Sequence, residues 1–329
     1  MKDTLTDANF PRTADLRVYH LGLRPGEVAN RIITVGSPSR AKAIAAFLND
    51  TPQPFALSSE RGFLTITGRY KSVPISVVSI GMGSPNMDFF VREVRECLSG
   101  DMAIVRLGSC GALVDAPVGS VVIPRASVSI HRNVDFDFTN PGKCDEVAYR
   151  TSKPVSADPT LHQEVTKLQI SLVAVFFSSF YSSQGRQTSF PDHNSDLIEQ
   201  LQTEIEDLAT LEMETFHLYH LARCWGGWTT PSTTQTTPLT TGPVRPVLSL
   251  PSTPISTVPP VLLASPNSVI RAAAAQMVFA SRTSQDFITP EEVRELENWT
   301  GQGVLDALAN LDIPPERLHS EHGSVWEVV

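Results

Sequence analysis

The sequence predicts an α/β protein, a β-sheet with helices on both faces. Three observations lead there. Apolar runs of strand length alternate with stretches of helical spacing along most of the chain. Several of those runs end in glycine plus a polar residue, and in such sheets ligands gather at the strand C-termini. Apolar residues make up 41% and charged residues 19% of 329 positions, enough to bury a full core.

Taken in order, RIITVG at 31–36 is a buried strand ending at Gly36, and a helix follows from Ser39 through AKAIAAFLND. Residues 63–70 and 73–80 are paired strands with KSV as the turn. SIGMGSP then breaks the chain with two glycines and a proline. The helix after it, about 86–98, carries Phe89, Phe90, Val94 and Cys97 at helical spacing. MAIVRLGSCGAL (102–113) is a second buried strand ending in a glycine-rich turn, and VGSVVIPRASVSI (118–130) is a third with a bend at Pro124. A helix at 158–169, an apolar strand at 170–177, a helix at 192–207 and another from Met213 to Cys224 follow. Residues 272–281 include a late strand, and 290–310 form a closing helix. This order sets Gly36, Arg106 and Arg282 near strand ends on a shared side of the sheet.

One stretch departs from the pattern. Residues 229–268 hold nine of the 25 prolines and no Asp, Glu or Lys. That proline density blocks helix and regular sheet, so the stretch is expected to be a disordered or polyproline-like insertion. Lengthening a loop from a few residues to this size costs only about 2 kcal/mol of closure entropy, which a fold can absorb.

The net charge of −9 argues against nucleic acid as a partner, because phosphate-backbone affinity needs a basic surface. A small anion stays open, since a few local arginines can outweigh the overall sign. Cys97, Cys110, Cys144 and Cys224 show no metal-ligand spacing, so no metal is expected. Scattered cysteines and the absence of a signal-type segment point to a reduced, cytoplasmic protein. No run approaches the roughly 20 apolar residues of a membrane span.

Two short motifs carry chemistry. FYSSQGRQ brings Phe180, Gln184 and Arg186 within seven residues, and LEMET sets Glu212, Met213 and Glu214 side by side. A Gln amide and an Arg fork together suit a planar ring with carbonyls and an N–H. A carboxylate beside an apolar thioether suits a sugar, with hydroxyls to bind and a carbon face to cover. Taken alone, the glutamates also fit a helix N-terminus and Met213 fits a core.

In order along the chain, YHLGL, VGSPSR, SSERGF, SIGMGSP, VRLGSCG, FYSSQGR, LEMET and SRT resemble the uridine phosphorylase branch of the nucleoside phosphorylase superfamily. The resemblance implies a single-domain fold over 1–329, a central mixed β-sheet flanked by helices, interrupted by the 229–268 insertion. It implies cleavage of a nucleoside by inorganic phosphate, a co-substrate, with no cofactor. By that resemblance Gly36, Arg40, Arg106 and Ser109 bind phosphate, and Arg61 reaches the phosphate of a neighbouring subunit. Met213 and Glu214, with Glu212 beside them, bind ribose, and His20 reaches a neighbour's ribose. Phe180, Gln184 and Arg186 hold the base, supported by Arg282. A homodimer or a hexamer of dimers follows from the shared residues.

The chain departs from the family pattern in places. The usual Gly-Asp-Pro turn is Gly36-Ser37-Pro38, and ten or more residues are missing before Phe180. Gly62 stands where a monovalent-ion glutamate is expected, so no such ion is predicted. Purine-cleaving relatives commonly carry an Asp where this chain has Arg282, which favours a pyrimidine. A purine nucleoside phosphorylase, a nucleosidase of the same fold and a non-catalytic nucleoside binder remain the alternatives.

Overall fold

The computed structural model describes residues 4–167, 171–177, 179–226 and 267–328. The chain begins with a small hairpin, β1 (Leu5–Thr6) and β2 (Arg12–Thr13). Next come β3 (Arg31–Val35), α1 (Pro38–Ala45), β4 (Phe55–Ser58), β5 (Leu64–Tyr70), β6 (Val73–Ser79) and α2 (Ser84–Arg95). Two long strands, β7 (Met102–Ala112) and β8 (Val121–Arg132), lead to β9 (Tyr149–Thr151), β10 (Val155–Ser156) and α3 (Pro159–Thr166). The chain continues with β11 (Ser171–Phe177), α4 (Leu197–Glu204), β12 (Leu208–Glu212) and α5 (Thr215–Cys224). It closes with β13 (Ile270–Ser281) and α6 (Pro290–Asn310).

Among the described residues eleven strands form one mixed sheet. β3 runs parallel to both β6 and β7, and its β-branched RIITV sequence is buried throughout, as a two-face-covered strand requires. The hairpin β5–β6 turns at Lys71 and Ser72, both at positive φ (49° and 69°), the geometry that matches strand twist in a two-residue turn. β7 is the organising strand. Its first half pairs with β3 up to Thr34↔Arg106, its last residues pair with β12, and β13 runs parallel along its whole length. Because β13 also pairs with β8, β8 with β11, and β11 with β12, that half of the sheet curls into a closed circuit.

Helices cover both faces, as expected. On one side α1, α3 and α6 bury Ile44, Leu161, Val304 and Leu308 against Ile33, Val105 and Ala275. On the other, α2 and α5 bury Phe90, Val94, Leu218 and Tyr219 against Ile32, Ile104 and Ala274. No helix of the described residues is long and apolar enough to cross a membrane.

The structure trims several sequence expectations. The first helix stops at Ala45, short of the predicted run, and the helix expected at 192–207 covers only Leu197–Glu204. β12 was not expected at all; its five residues join the sheet beside β7 and β11. The shortened segment before Phe180 still forms a strand, parallel to β8 and β12, with a register shift after Val173. Pro124 lies within a continuous β8, where that pairing shifts register. The proline-rich insertion, except Asn267 and Ser268, lies outside the described residues.

Candidate active site

The site forms where β7 changes partners. Arg106 is the last β7 residue paired with β3, and Gly111 the first paired with β12. Between them the strand edge opens, and Ser109 is exposed there. Arg106 itself is buried (4% exposed) and gives Nη2 to Glu214 Oε2 at 2.8 Å. Its Nε and Nη1 are buried with no hydrogen-bond partner among the described residues. Orphaned guanidinium nitrogens are costly, so their persistence marks a site built for an acceptor.

The turn after β3 brings a second arginine. Ser37 caps α1 by accepting the Arg40 N–H, and Pro38 occupies the first helical position, where its missing N–H costs nothing. Serine thus serves the turn where an acidic residue was expected. Gly36 lies against Arg106: a Cβ built on it would be 3.7 Å from Arg106 Nη2, an ordinary contact distance. Arg40 is buried, donates Nε to Glu297 of α6 at 2.7 Å, and reaches the Leu107 carbonyl at 3.4 Å. Burial pulls its pKa below the usual arginine range, against the pull of Glu297.

The LEMET turn joins β12 to α5. Glu212 Oε2 accepts the N–H groups of Glu214 (2.7 Å) and Thr215 (2.8 Å), which fixes the head of α5. Glu214 Oε1 accepts the Gly83 N–H at 2.6 Å, tying this turn to the start of α2.

The loop 180–187 is held in part by Asn194 from outside it. Asn194 Nδ2 donates to the Ser182 and Arg186 carbonyls at 2.7 and 3.2 Å. Gly185 has φ +63°, and a Cβ there would come within 2.9 Å of Ile198, so only glycine suits the step between Gln184 and Arg186. The Arg186 guanidinium lies 4.1 Å from the Phe180 ring centroid. Burial, then the nearby charge of Arg282, hold its pKa below the usual value. Gln184 is 2% exposed, and its carbonyl accepts Arg282 Nη2 at 2.5 Å.

Gly36, Arg40, Arg106, Ser109, Phe180, Gln184, Arg186, Glu212, Met213 and Glu214 line one cavity of about 330 Å³. Arg282 stands behind it, bonded to Gln184. His20 and Arg61 do not line it. They flank Tyr19 elsewhere: Arg61 bonds the Tyr19 hydroxyl, and His20 bonds Glu93 at 2.6 Å and stacks on Phe89 at 3.8 Å. Sequence reading missed Met82, Phe279 and Phe287, which also line the cavity. Met82 and Phe287 are 76% and 73% exposed, which is unusual for large apolar side chains at a cavity mouth. Met82 lies within the SIGMGSP break, and that was the one available signal. Among the described residues no group of three or more His, Cys, Asp or Glu side chains is arranged to hold a metal.

A family model described as the phosphorylase superfamily matches residues 30–227, from the start of β3 to just beyond α5. The chain belongs to that superfamily. It is 34% identical to a solved structure from work on two uridine phosphorylases of the oomycete Phytophthora capsici, with a TM-score of 0.78 over 94% of this chain and 100% of that one. Among curated proteins it is 27% identical over 237 residues to uridine phosphorylase of Thermococcus kodakarensis, covering 69% of this chain and 79% of the relative. It is also 28% identical over 212 residues to a DeoD-type purine nucleoside phosphorylase of Oceanobacillus iheyensis, covering 63% and 81%. The resemblance read from the ordered motifs is therefore correct, and the mixed sheet flanked by helices is the fold it implied. By this kinship the chain is a member of the nucleoside phosphorylase superfamily.

Proposed function

We propose that the protein cleaves uridine with inorganic phosphate, giving uracil and ribose 1-phosphate. The reading is carried by one arrangement: Gln184, Arg186 and Phe180 line the same cavity as Arg106, whose Nε and Nη1 have no partner among the described residues.

In this reading phosphate binds Arg106, Arg40, Ser109 and the Gly36 turn at the head of α1, where helix N–H groups favour an anion. Ribose lies against Met213, with its hydroxyls on Glu212 and Glu214. Phosphate stabilises the oxocarbenium-like sugar and its oxygen attacks C1′ as the bond to N1 breaks. The electron pair of that bond goes to the uracil ring, and overall the proton of the phosphate ends on the base. Arg186 and Gln184 donate to ring oxygens as negative charge grows there, so they bind the transition state more tightly than the substrate. Arg282 holds Gln184 in place. The chemistry draws on no cofactor. The same reading assembles the chain as a dimer or a hexamer of dimers, in which His20 and Arg61 serve a neighbour's ribose and phosphate.

The deciding experiment is uracil release from uridine with and without phosphate, run beside inosine. Release that requires phosphate and favours uridine is expected. Release in water alone would make the protein a nucleosidase. Preference for inosine would favour the purine reading, which the similarity to the Oceanobacillus enzyme keeps in view.

A further inference from the structure

The two glutamates of the LEMET turn are held in different ways. Glu214 has both oxygens bonded, to Arg106 and to the Gly83 N–H. Glu212 is 4% exposed, lines the same cavity, and uses only Oε2, on the Glu214 and Thr215 N–H groups. Its Oε1 is buried with no partner among the described residues. Arg106, the cation that acts on it, is bonded to its neighbour instead.

Building on the function proposed above, we propose that Glu212 works as a neutral carboxylic acid, its Oε1–H donating to a sugar hydroxyl, while Glu214 works beside it as the ionised acceptor. Two adjacent hydroxyls then join the pair into one directed chain, from Glu212 through both hydroxyls to Glu214, and each bond polarises the next. Two ionised carboxylates would offer acceptors at both ends and no donor.

The charges around Glu212 agree. From α5 it faces Glu214 and Tyr219, and from β7 it faces Arg106 and Cys110. From β13, Gln276 Nε2 donates to Thr215 Oγ1 at 2.7 Å, an uncharged link to the turn that holds Glu212. Burial raises the Tyr219 and Cys110 pKa values, so both stay neutral near pH 7. Burial and then the Glu214 charge lift Glu212 to about 7, against the two helix N–H bonds and Arg106. Doubly charged phosphate at Arg106 adds negative charge to the cavity and raises it further.

The test is a pH titration of protein carrying ¹³C at the glutamate side-chain carboxyls, with Glu212→Gln to assign the resonance. A Glu212 signal that titrates near neutral pH, and moves higher when inorganic phosphate is added, is expected. A signal already ionised at mildly acidic pH would overturn the proposal. Uridine kinetics give a second arm. Glu212→Gln keeps a donor, so kcat/KM should fall by at most about tenfold, against about a hundredfold or more for Glu212→Ala. Equal losses would count against the neutral acid. If Glu212→Gln fails to fold, an infrared band of a protonated carboxyl in the unaltered protein, present at neutral pH and lost on raising it, reads the same state, and its absence refutes it. Failure of the unaltered protein to cleave uridine would remove the functional reading, and the titration would still decide the protonation of Glu212.

Discussion

Arg106 of β7 and Glu214 at the head of α5 form a buried ion pair, Nη2 to Oε2 at 2.8 Å, with side chains 4% and 7% exposed. The pair fixes the guanidinium while leaving Nε and Nη1 without partners among the described residues. A cation held this way is rigid before any anion arrives, so little ordering remains for the binding step.

Arg106→Ala should therefore lower kcat/KM for phosphorolysis by about a hundredfold or more, with the greater effect on phosphate dependence. The same change leaves Glu214 buried and unpaired, at about 3–5 kcal/mol of stability. Steady-state kinetics at varied phosphate and a denaturant melt measure the two effects. Unchanged phosphorolysis would remove Arg106 from the phosphate site.

Arg40 is neutralised from far along the chain, by Glu297 of α6 at 2.7 Å. Glu297→Gln keeps the shape and removes the opposing charge. The variant should lose about 1–3 kcal/mol of stability, because Arg40 becomes an unpaired buried cation. Added phosphate should then stabilise it more than it stabilises the parent protein. Melting temperatures with and without phosphate check this, and equal phosphate shifts would show that Arg40 does not sense the anion.

That long-range pair also marks the limit of sequence reading. Arg40 was legible because a strand, a Gly-Ser-Pro turn and a helix start lie side by side in VGSPSR. Glu297 was not, because nothing local distinguishes it from other acidic residues on the solvent side of a helix. β12 was missed for a related reason. LATLE is too short to show a period, and the residue before it, Asp207, sits at φ +59° in a turn that no glycine announces. Phe279 and Phe287 come to the cavity from a strand and a loop, so only tertiary packing reveals them, while the SIGMGSP break was the one hint of Met82. The LEMET residues were found as a group, but which glutamate Arg106 takes is a matter of geometry.

Gly108 of β7 lies opposite Gln276 of β13, and a Cβ at Gly108 would fall 2.4 Å from Gln276 Oε1. Gly108→Ala should push the amide away from Thr215, whose N–H holds Glu212. A loss of about 1–3 kcal/mol is expected from overpacking. A raised KM for the nucleoside should accompany it. A stable variant with ordinary kinetics would show that Gln276 can move without disturbing Glu212.

The turn at Lys71 and Ser72 holds two non-glycine residues at positive φ. Left-handed backbone costs roughly 1–2 kcal/mol per such residue, and glycine avoids it. Both side chains are exposed and remote from the cavity. Ser72→Gly should raise stability by about 1 kcal/mol, less the entropy that glycine adds to the unfolded chain. Thermal melts measure it, and kinetics should not change.

Glu212 makes a stability prediction that needs no substrate. A carboxyl whose folded pKa lies above its ordinary value holds its proton more tightly folded than unfolded. Its contribution is fully present below the ordinary value of 4.5 and is lost as pH rises to about 7. Above that range the folded protein carries a buried charge that Arg106 compensates only in part, being bonded to Glu214. Glu212→Gln never ionises, so its stability relative to the parent should climb between those two values and level off beyond them. Melting temperatures of the two proteins across that pH range give the difference directly, and most other titrating groups cancel in it. Parallel curves would mean that Glu212 has an ordinary pKa in the folded protein, and that the two helix N–H groups and Arg106 outweigh its burial.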